Sequence, residues 1–597
     1  VLGIGPCRFS VQNASNWEAE IARLEQDVAL DEQWYLPYDP VRERKLMIAF
    51  PNGTSDLNGV RRIVEHFKDR VKYWEPRNEP DQTTGGAQFA TNEMRSFYET
   101  VKSVSPDLKV MGPGTVSVTQ GLQNWLRDFF NAGGGNYIDV FSFHAYNAVE
   151  GDLFLARYTF ESLKQLLAQY GQQDKEIWQT EQGYFAPVYG SYEPRRQARW
   201  TMLQTMLFEQ YGIPKEQNYY WYERSHGFWD FPTFLANEDG SLNPGAVLMR
   251  VWSEEVYGTR FSRRFDFGET GNRLYIGNLF EGPGKKVAAF MSAGSTDGKI
   301  TLLLPGATSV TVVSALGEER TVSVTGGRLE LDVPEIPVYV RLTPAQSIEV
   351  EPVDWGPNLA RLPGVQVRSS GTGVHPVDPS IPNSILKLVN GVMETSRWPL
   401  PDSGRPWMDN TDGFPAWVEL TFPSERTIDR VVIYSFPFWQ WEGTLLDYEL
   451  QYERNGEWVT IERVTEPTKT FRVASFHPNA ACTVDGFFSE RWIFQHSFAP
   501  VTTRRIRVLV HDCTWGGGAT RDVVDAGGQT GPRKVALREI EVYNSLWQPG
   551  SHRISGVVRT ASGNPVPGVR IALRGWATEA MAVTDASGAF EFTNLQA

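Results

Sequence analysis

The 597-residue sequence predicts a multidomain protein that opens with a parallel (β/α)8 TIM barrel and continues as all-β sandwiches. Three observations carry this. Up to about residue 252, short β-branched or aromatic runs alternate with amphipathic helical stretches at intervals of roughly thirty to forty residues, the spacing of strand-helix-strand units in a parallel sheet. From about residue 258 the helical period gives way to short alternating strands punctuated by Gly, Asp and Pro. The length itself corresponds to roughly four domains at about 150 residues each.

In chain order, the strand candidates of the barrel are VLGIGPCRF (1–9), KLMIAFPN (45–52), VKYWEPRN (71–78), LKVMGPG (108–114), YIDVFSFHAY (137–146), EIWQTEQGY (176–184) and NYYWYERS (218–225). Helical stretches such as NWEAEIARLEQDVAL, NGVRRIVEHFKDR, FATNEMRSFYETVKSV and TFESLKQLLAQY lie between them, with apolar positions every three or four residues. Seven strands are visible, so an eighth is expected before Val1 and the barrel, residues 1–256, reads as N-terminally incomplete. An open, doubly wound sheet is the alternative. Residues 257–346, with YIGNLF, KKVAAFMSA, KITLLLPG, SVTVVSAL, ERTVSVTGG, RLELDV and PVYVRL, read as an accessory antiparallel sandwich. A Pro-rich stretch, TPAQSIEVEPVDWGPN, then forms a linker or a packed boundary. Residues 347–546 form a Trp-rich all-β unit, and residues 547–597 a last β-sandwich that stops abruptly at Ala597 and is expected to be incomplete.

Composition excludes several classes. Hydrophobic residues make up 41% and charged residues 21%, ample for packed cores. Acidic residues outnumber basic ones by 71 to 57, and the formal charge of -14 repels phosphate backbones, so no nucleic-acid partner is expected. The three cysteines, Cys7, Cys482 and Cys513, are too few for a disulfide scaffold or a Cys-based zinc cluster; Cys482 and Cys513 fall in one predicted domain and are candidates to pair. No apolar run is long enough to span a bilayer. The chain lacks an initiating Met, as a processed or trimmed protein would.

In a parallel barrel the C-terminal ends of the strands surround the active-site mouth. Arg8, Asn78, Glu79, His144, Tyr146, Glu181, Trp221 and Tyr222 all fall at or near such ends. Glu79 and Glu181 are 102 residues apart, about three strand-helix units, which sets them across the mouth from each other on the fourth and seventh strands of a complete barrel. Two carboxylates facing each other over a cleft are what glycosidic bond cleavage requires: one protonated to release the leaving oxygen, the other ionised to attack or stabilise the oxocarbenium-like centre. Arg8 and Tyr146 are expected to bond Glu181 and keep it charged. Glu79, flanked by Trp74 and Pro80 and near the charge of Glu181, is expected to be pushed toward protonation, so Glu79 is the acid/base and Glu181 the nucleophile. Glu75 and Asp81 read as solvated or as partners of Arg77. His144 as a core histidine, Arg8 as the partner of a surface acid, and Trp229 and Phe231 as loop packing are the plainer readings of those residues.

These residues carry a resemblance. WEPRNEPD resembles the Asn-Glu-Pro segment that ends the fourth strand of clan A retaining glycoside hydrolases, IWQTEQGY their seventh-strand nucleophile segment, and SFHAYN their sixth-strand His-x-Tyr segment. The sandwich ending in PVYVRL is similar to the accessory domain of family 39 and its relatives, and the resemblance spans residues 1 to about 345. It implies that Asn78 contacts the sugar 2-hydroxyl, that Tyr146 orients the nucleophile and that Trp221 floors the subsite of the cleaved sugar. Arg77 stands where relatives commonly carry an apolar residue or Trp, which suggests a pocket for an acidic or unusually hydroxylated sugar.

Residues 358–545 resemble a discoidin-like, coagulation-factor type C jelly roll, through LVNGVMETSRW and VALREIEVY. Relatives bind terminal sugars at one rim and hold a structural calcium, for which Glu539 matches the acidic position and Asn390 replaces a common Asp. The aromatics of SFPFWQWEGT are candidates for the sugar-contacting loop or an interdomain contact. A ligand-free spacer is the alternative role. The segment from residue 552 resembles a carboxypeptidase-regulatory or Cna-B-like sandwich, a stalk in secreted proteins. The expectation is therefore a secreted or cell-surface retaining glycosidase with a carbohydrate substrate, a polysaccharide partner for the discoidin-like unit and no cofactor for catalysis. A catalytically silent carbohydrate-binding or adhesion protein is the alternative.

Overall fold

A computed structural model describes residues 8–12, 16–34, 46–50, 53, 55–116, 118, 120–144, 153–181, 194–213, 244–295, 298–371, 373–374, 383–392, 406–411, 413–436, 444–466, 469–471, 486–488, 491–513, 534–545, 552–560, 562–574 and 579–595. Six strands, β1 (Arg8–Ser10), β2 (Met47–Ala49), β3 (Tyr73–Glu75), β4 (Lys109–Thr115), β5 (Val140–His144) and β6 (Glu176–Glu181), pair in sequence order and in parallel. Helices α1 (Trp17–Trp34), α2 (Leu57–Phe67), α3 (Gly86–Val104), α4 (Gln120–Asn131) and α5 (Leu153–Gln169) connect them; α6 (Pro194–Tyr211) and α7 (Pro244–Val256) follow. The predicted strand over 218–225 lies outside the described residues.

The sheet is curled. In a flat sheet, five strand spacings of about 4.8 Å would separate β1 from β6 by roughly 24 Å, beyond the reach of two side chains. Arg8 on β1 nevertheless bonds Glu181 on β6 at 2.8 Å, and the rings of Tyr73 on β3 and Trp178 on β6 lie 4.4 Å apart. An open doubly wound sheet is thereby excluded, and the described strands form a parallel half-barrel. Strand alternation sorts its residues. Met47, Tyr73, Met111, Val140 and Trp178 pack as one layer inside the curl. Ile48, Trp74, Val110, Phe141 and Ile177 point the other way, into the core shared with the helices.

From residue 260 the chain is antiparallel, as its period-two pattern demands. Strands β7 (Arg260–Arg264), β8 (Tyr275–Gly282, after the short α8, Gly268–Leu274), β9 (Lys285–Ser292), β10 (Gly298–Leu303), β11 (Ser309–Val313), β12 (Glu319–Ser323), β13 (Arg328–Val333), β14 (Val338–Leu342) and β15 (Glu349–Val350) form a six-stranded sheet, β12-β11-β14-β9-β8-β7, and a three-stranded one, β13-β10-β15. The Pro-rich stretch is a packed boundary: its β15 pairs with β10.

Next come β16 (Gln366–Ser369), β17 (Trp407–Met408), β18 (Ala416–Ser435), β19 (Leu445–Arg454), β20 (Glu457–Thr465), β21 (Lys469–Phe471), β22 (Gly486–Phe488), β23 (Ile493–Cys513) and β24 (Ala536–Tyr543). The segments WVELTFP and IDRVVIYSF fuse into the one long strand β18, which pairs with both β23 and β24 around a separate core of Val418, Ile433, Leu450, Val508 and Ile540. β25 (His552–Val557) pairs with β28 (Ala589–Leu595), and β26 (Arg570–Arg574) with β27 (Glu579–Val583). Among the described residues, no helix is long and apolar enough to cross a membrane. Cys513 is buried, while Cys7, Cys482 and the 437–443 part of the aromatic loop lie outside the described residues.

Candidate active site

The layer above Tyr73 and Trp178 is polar. Glu75, two residues after Tyr73 and on the same inward face, is fully buried, and its Oε1 accepts from Ser142 Oγ (2.8 Å) and Thr180 Oγ1 (3.1 Å). Its Oε2 accepts from Arg8 Nε (2.9 Å). Gly114, at φ +66°, passes so close that a Cβ there would stand 2.9 Å from Glu75 Oε1, so only glycine fits.

Arg8 spends its guanidinium on three partners: Glu75, the Oδ1 of Asn78 (Nη2, 2.9 Å) and the Oε2 of Glu181 (Nη1, 2.8 Å). One cation therefore lies between two carboxylates, the buried Glu75 below and Glu181 at the strand end. With Oδ1 accepting from Arg8, the Asn78 amide nitrogen is the group that can donate elsewhere.

Glu181 faces inward through a register irregularity. Strict alternation after the inward Thr180 would turn it to the helix side, but the β5/β6 ladder skips Thr180 and sets Glu181 opposite His144. Glu79 is placed by a different device. It precedes the 3-10 turn Pro80–Gln82 with φ 43° and ψ 59°, a left-handed conformation that L residues adopt at a cost of about 1–3 kcal/mol, and its N–H donates to Gly114 O at 3.0 Å. His144, fully buried, lies between the carboxylates: Nδ1 is 2.8 Å from Glu79 Oε1 and Nε2 is 3.8 Å from Glu181 Oε2. One ligating atom from each of Glu79, His144 and Glu181 falls within 4.8 Å of the others. Tyr146, Trp221, Tyr222, Trp229 and Phe231 lie outside the described residues.

Four expectations are corrected. Glu75 is neither solvated nor paired with Arg77; it is the buried anchor of Arg8. Asp81 does not meet Arg77 either: its Oδ1 accepts from Val116 N at 3.1 Å, and burial, with the nearby Glu79, raises its pKa above the ordinary aspartate value. Arg77 is committed to α3, where it pairs with Glu93 (2.5 Å) and lies over Phe89, so nothing among the described residues supports its expected role in a sugar pocket. Trp74 does not flank Glu79; its side chain is in the helix-side core. Sequence reasoning missed Glu75, Ser142 and Thr180. The period-two alternation from Tyr73 to Glu75 and from Ser142 to His144 was the available signal.

The residues expected to hold calcium meet at one turn. Both oxygens of the buried Glu539 accept from Gly391 N at 3.1 Å, and Asn390 Oδ1 accepts from Val392 N at 2.8 Å. A carboxyl and an amide oxygen suit a hard cation, which takes six to eight oxygens in all. The guanidinium of Arg361 also lies beside Gly391, where an added Cβ would stand 2.7 Å from its Cζ. Burial and Glu541 push the Glu539 carboxyl well above the usual range.

Residues 54–245 match the family model described as glycosyl hydrolase catalytic core. That segment contains Asn78, Glu79, His144 and Glu181. Comparison with curated proteins returned no match. Among solved structures, the chain is similar to a family 39 glycoside hydrolase from Bacteroides cellulosilyticus WH2 (TM-score 0.44, 16% identity, 56% of this chain and 74% of that one). It is also similar to a glucosidase from Croceicoccus marinus (0.43, 13%, 57% and 90%). It is also similar to a chitosan-binding module from a chitosanase/glucanase of Paenibacillus sp. IK-5 (0.19, 18%, 31% and 100%). Likenesses at this level carry no argument, so the fold rests on the strand order and register described above. The family match supports a glycosidase with a carbohydrate substrate.

Proposed function

We propose that the chain is a retaining glycoside hydrolase of clan A, similar to family 39, with a closed barrel of which β1–β6 are the described part. One observation carries this: two carboxylates from strand ends on opposite sides of the curl come within 4.8 Å, oxygen to oxygen, across His144. A retaining site sets its carboxyl groups about 5–5.5 Å apart, whereas an inverting site leaves roughly 6.5–9.5 Å for a water. Glu79, as the acid, gives its proton to the glycosidic oxygen as the bond from C1 to that oxygen breaks. Glu181 attacks C1 from the other face and forms the glycosyl-enzyme ester. Glu79 then takes a proton from water, whose oxygen attacks C1 and releases Glu181. Arg8 orients Glu181 and Asn78, and His144 aligns both carboxylates. The Asn78 amide donates to the sugar 2-hydroxyl; Tyr146, Trp221 and Trp229 complete the substrate site.

The same reading takes residues 347–546 as a discoidin-like module that binds polysaccharide, residues 547–597 as a Cna-B-like stalk, and the protein as secreted or cell-surface. A calcium ion held by Glu539 and the Asn390 turn would stabilise the module without entering the chemistry. The deciding experiment is hydrolysis of a panel of aryl glycosides and polysaccharides with NMR of the first-formed anomer. Retention is expected; inversion, or normal turnover by Glu181→Gln, overturns the assignment.

A further inference from the structure

Between the accessory sandwich and the jelly roll lies a cleft of about 1060 Å³. Lys299, Thr301 and residues 351–355 line one wall; Arg430, the 462–466 end of β20 and the first residues of β23 line the other. It is built from elements other than those that carry Glu79 and Glu181.

Most of its charged side chains are held by partners within the protein. Glu351 meets Arg328, Glu466 meets Arg491, and Glu462 meets His496 Nδ1 at 2.8 Å. Asp354 accepts from Gly356 N at 2.9 Å. Lys299 is held by Glu330 at 2.9 Å and Arg463 by Asp447 at 3.0 Å. The side chain of Arg430 makes no hydrogen bond or ion pair with any described residue, and its Nε is buried without a partner. The nearby Asp429 is occupied by the N–H and hydroxyl of Ser545. The Arg430 guanidinium lies 4.1 Å from the centre of the Trp355 ring, which is itself braced edge-on by Tyr543 at 5.4 Å. Burial pulls the Arg430 pKa below the ordinary arginine value, as expected of a cation that has lost water faster than it has gained anions.

A guanidinium held on an aromatic ring is oriented before any ligand arrives, and its fork matches a carboxylate or sulfate better than any neutral group. The rest of the lining, including Thr301, Gln495 and Ser497, supplies hydrogen-bonding groups of the kind that read hydroxyls. We propose that this interdomain cleft is a second carbohydrate site, which takes an acidic oligosaccharide by docking its carboxylate or sulfate on Arg430. The ligand class rests on the glycoside hydrolase reading; the anionic requirement rests on Arg430 alone.

The test is titration of the full chain with trigalacturonic acid, and with cellotriose as the neutral reference, by calorimetry. Saturable binding of the acid is expected, stronger than that of cellotriose and weakened about tenfold or more by Arg430→Met, as loss of one charge-assisted contact implies. Hydrolysis of a small aryl glycoside should be unchanged in that variant. In the unmodified protein, hydrogen exchange should slow at 462–466 and 299–301 when the acid is added, a readout that needs no variant. Absence of saturable acid binding, equal binding by Arg430→Met, or protection elsewhere overturns the proposal. Such an outcome leaves the hydrolase assignment standing, whereas failure of Glu181→Gln to lose activity removes the hydrolase assignment and leaves the anion site to be judged by these titrations.

Discussion

Removing the charge of Glu75, three residues before Asn78, should cost both stability and activity, although Glu75 cannot reach a substrate. Its carboxylate is fully buried and takes hydrogen bonds from Ser142, Thr180 and Arg8 at 2.8–3.1 Å. In Glu75→Ala, three donors lose their acceptor, and a buried cation loses one of the two carboxylates that hold it. Breaking a buried ion pair from one side costs about 3–5 kcal/mol. For a barrel of this size that lowers the melting temperature by roughly 6–20 °C. Glu75→Gln is milder, because its amide oxygen can accept from Arg8 while its nitrogen donates to the Ser142 and Thr180 hydroxyls. Only the charge is lost, at about 1–3 kcal/mol. Both variants let Arg8 shift toward Glu181, so kcat/KM should fall about tenfold or more even where the protein remains folded. Scanning calorimetry with aryl glycoside kinetics measures both. A Glu75→Ala protein that melts within a degree of wild type with full kcat/KM would refute the idea that Glu75 positions Arg8.

Glu181→Gln should lose several orders of magnitude in kcat with little change in melting temperature. Glu79→Gln should lose far more rate on glycosides with poor leaving groups than on dinitrophenyl glycosides, which need no acid; equal losses on both would reassign the acid. Asp81 has a raised folded pKa, so its contribution to stability is present below the unfolded value and is lost as pH rises through the folded value. Asp81→Asn should therefore flatten that decline and raise the melting temperature at neutral pH relative to acid pH. Gly294→Ala should destabilise the seat of the jelly roll, since a Cβ there would meet Trp492 Nε1 at 2.0 Å; an unchanged melting profile would show the two units part freely. Chelation by EGTA should lower the melting temperature of the 358–545 unit, and no shift would leave Arg273 and Arg361 as the counter-charges to Glu539.

The half-barrel was legible because its signal is local. Each strand from 45–52 to 176–184 is an apolar run between helical periods, and each of the seven predicted strands of the accessory sandwich overlaps an observed one. Barrel spacing set Glu79 and Glu181 across one mouth, and His144 was placed there by its position at a strand end. What stayed hidden depended on direction within a strand. Glu75 reads as one more charge in a charged loop until it is noticed that it shares a face with Tyr73, and Arg77 reads as a pocket residue until it is seen to reach Glu93 on α3. The inward turn of Glu181 depends on a skipped residue in the β5/β6 ladder, which nothing in the sequence of IWQTEQGY announces. Long-range packing was equally silent, because Phe154 and Tyr434 are ordinary core aromatics until the chain brings them together.

That last contact changes how the β unit of residues 358–545 relates to the barrel. Val432, Tyr434, Trp492, Ile493 and Tyr543 belong to the same buried cluster as the barrel helices and the accessory sandwich. Trp492 and Ile493 both donate backbone N–H groups to Gly294 O, Arg273 pairs with the buried Glu541, and Tyr434 donates to the same carboxylate at 2.9 Å. A module on a flexible tether raises the local substrate concentration without fixing its direction. A module sharing a core presents its ligand in one orientation. The barrel residue in this contact, Phe154, stands at the start of α5, ten residues after His144, with its ring 6.2 Å from Trp492 and 6.4 Å from Tyr434. Docking of this unit therefore braces the helix that follows the strand of His144, so loss of that contact should disturb the seat of Glu79 and Glu181 before it unfolds the barrel.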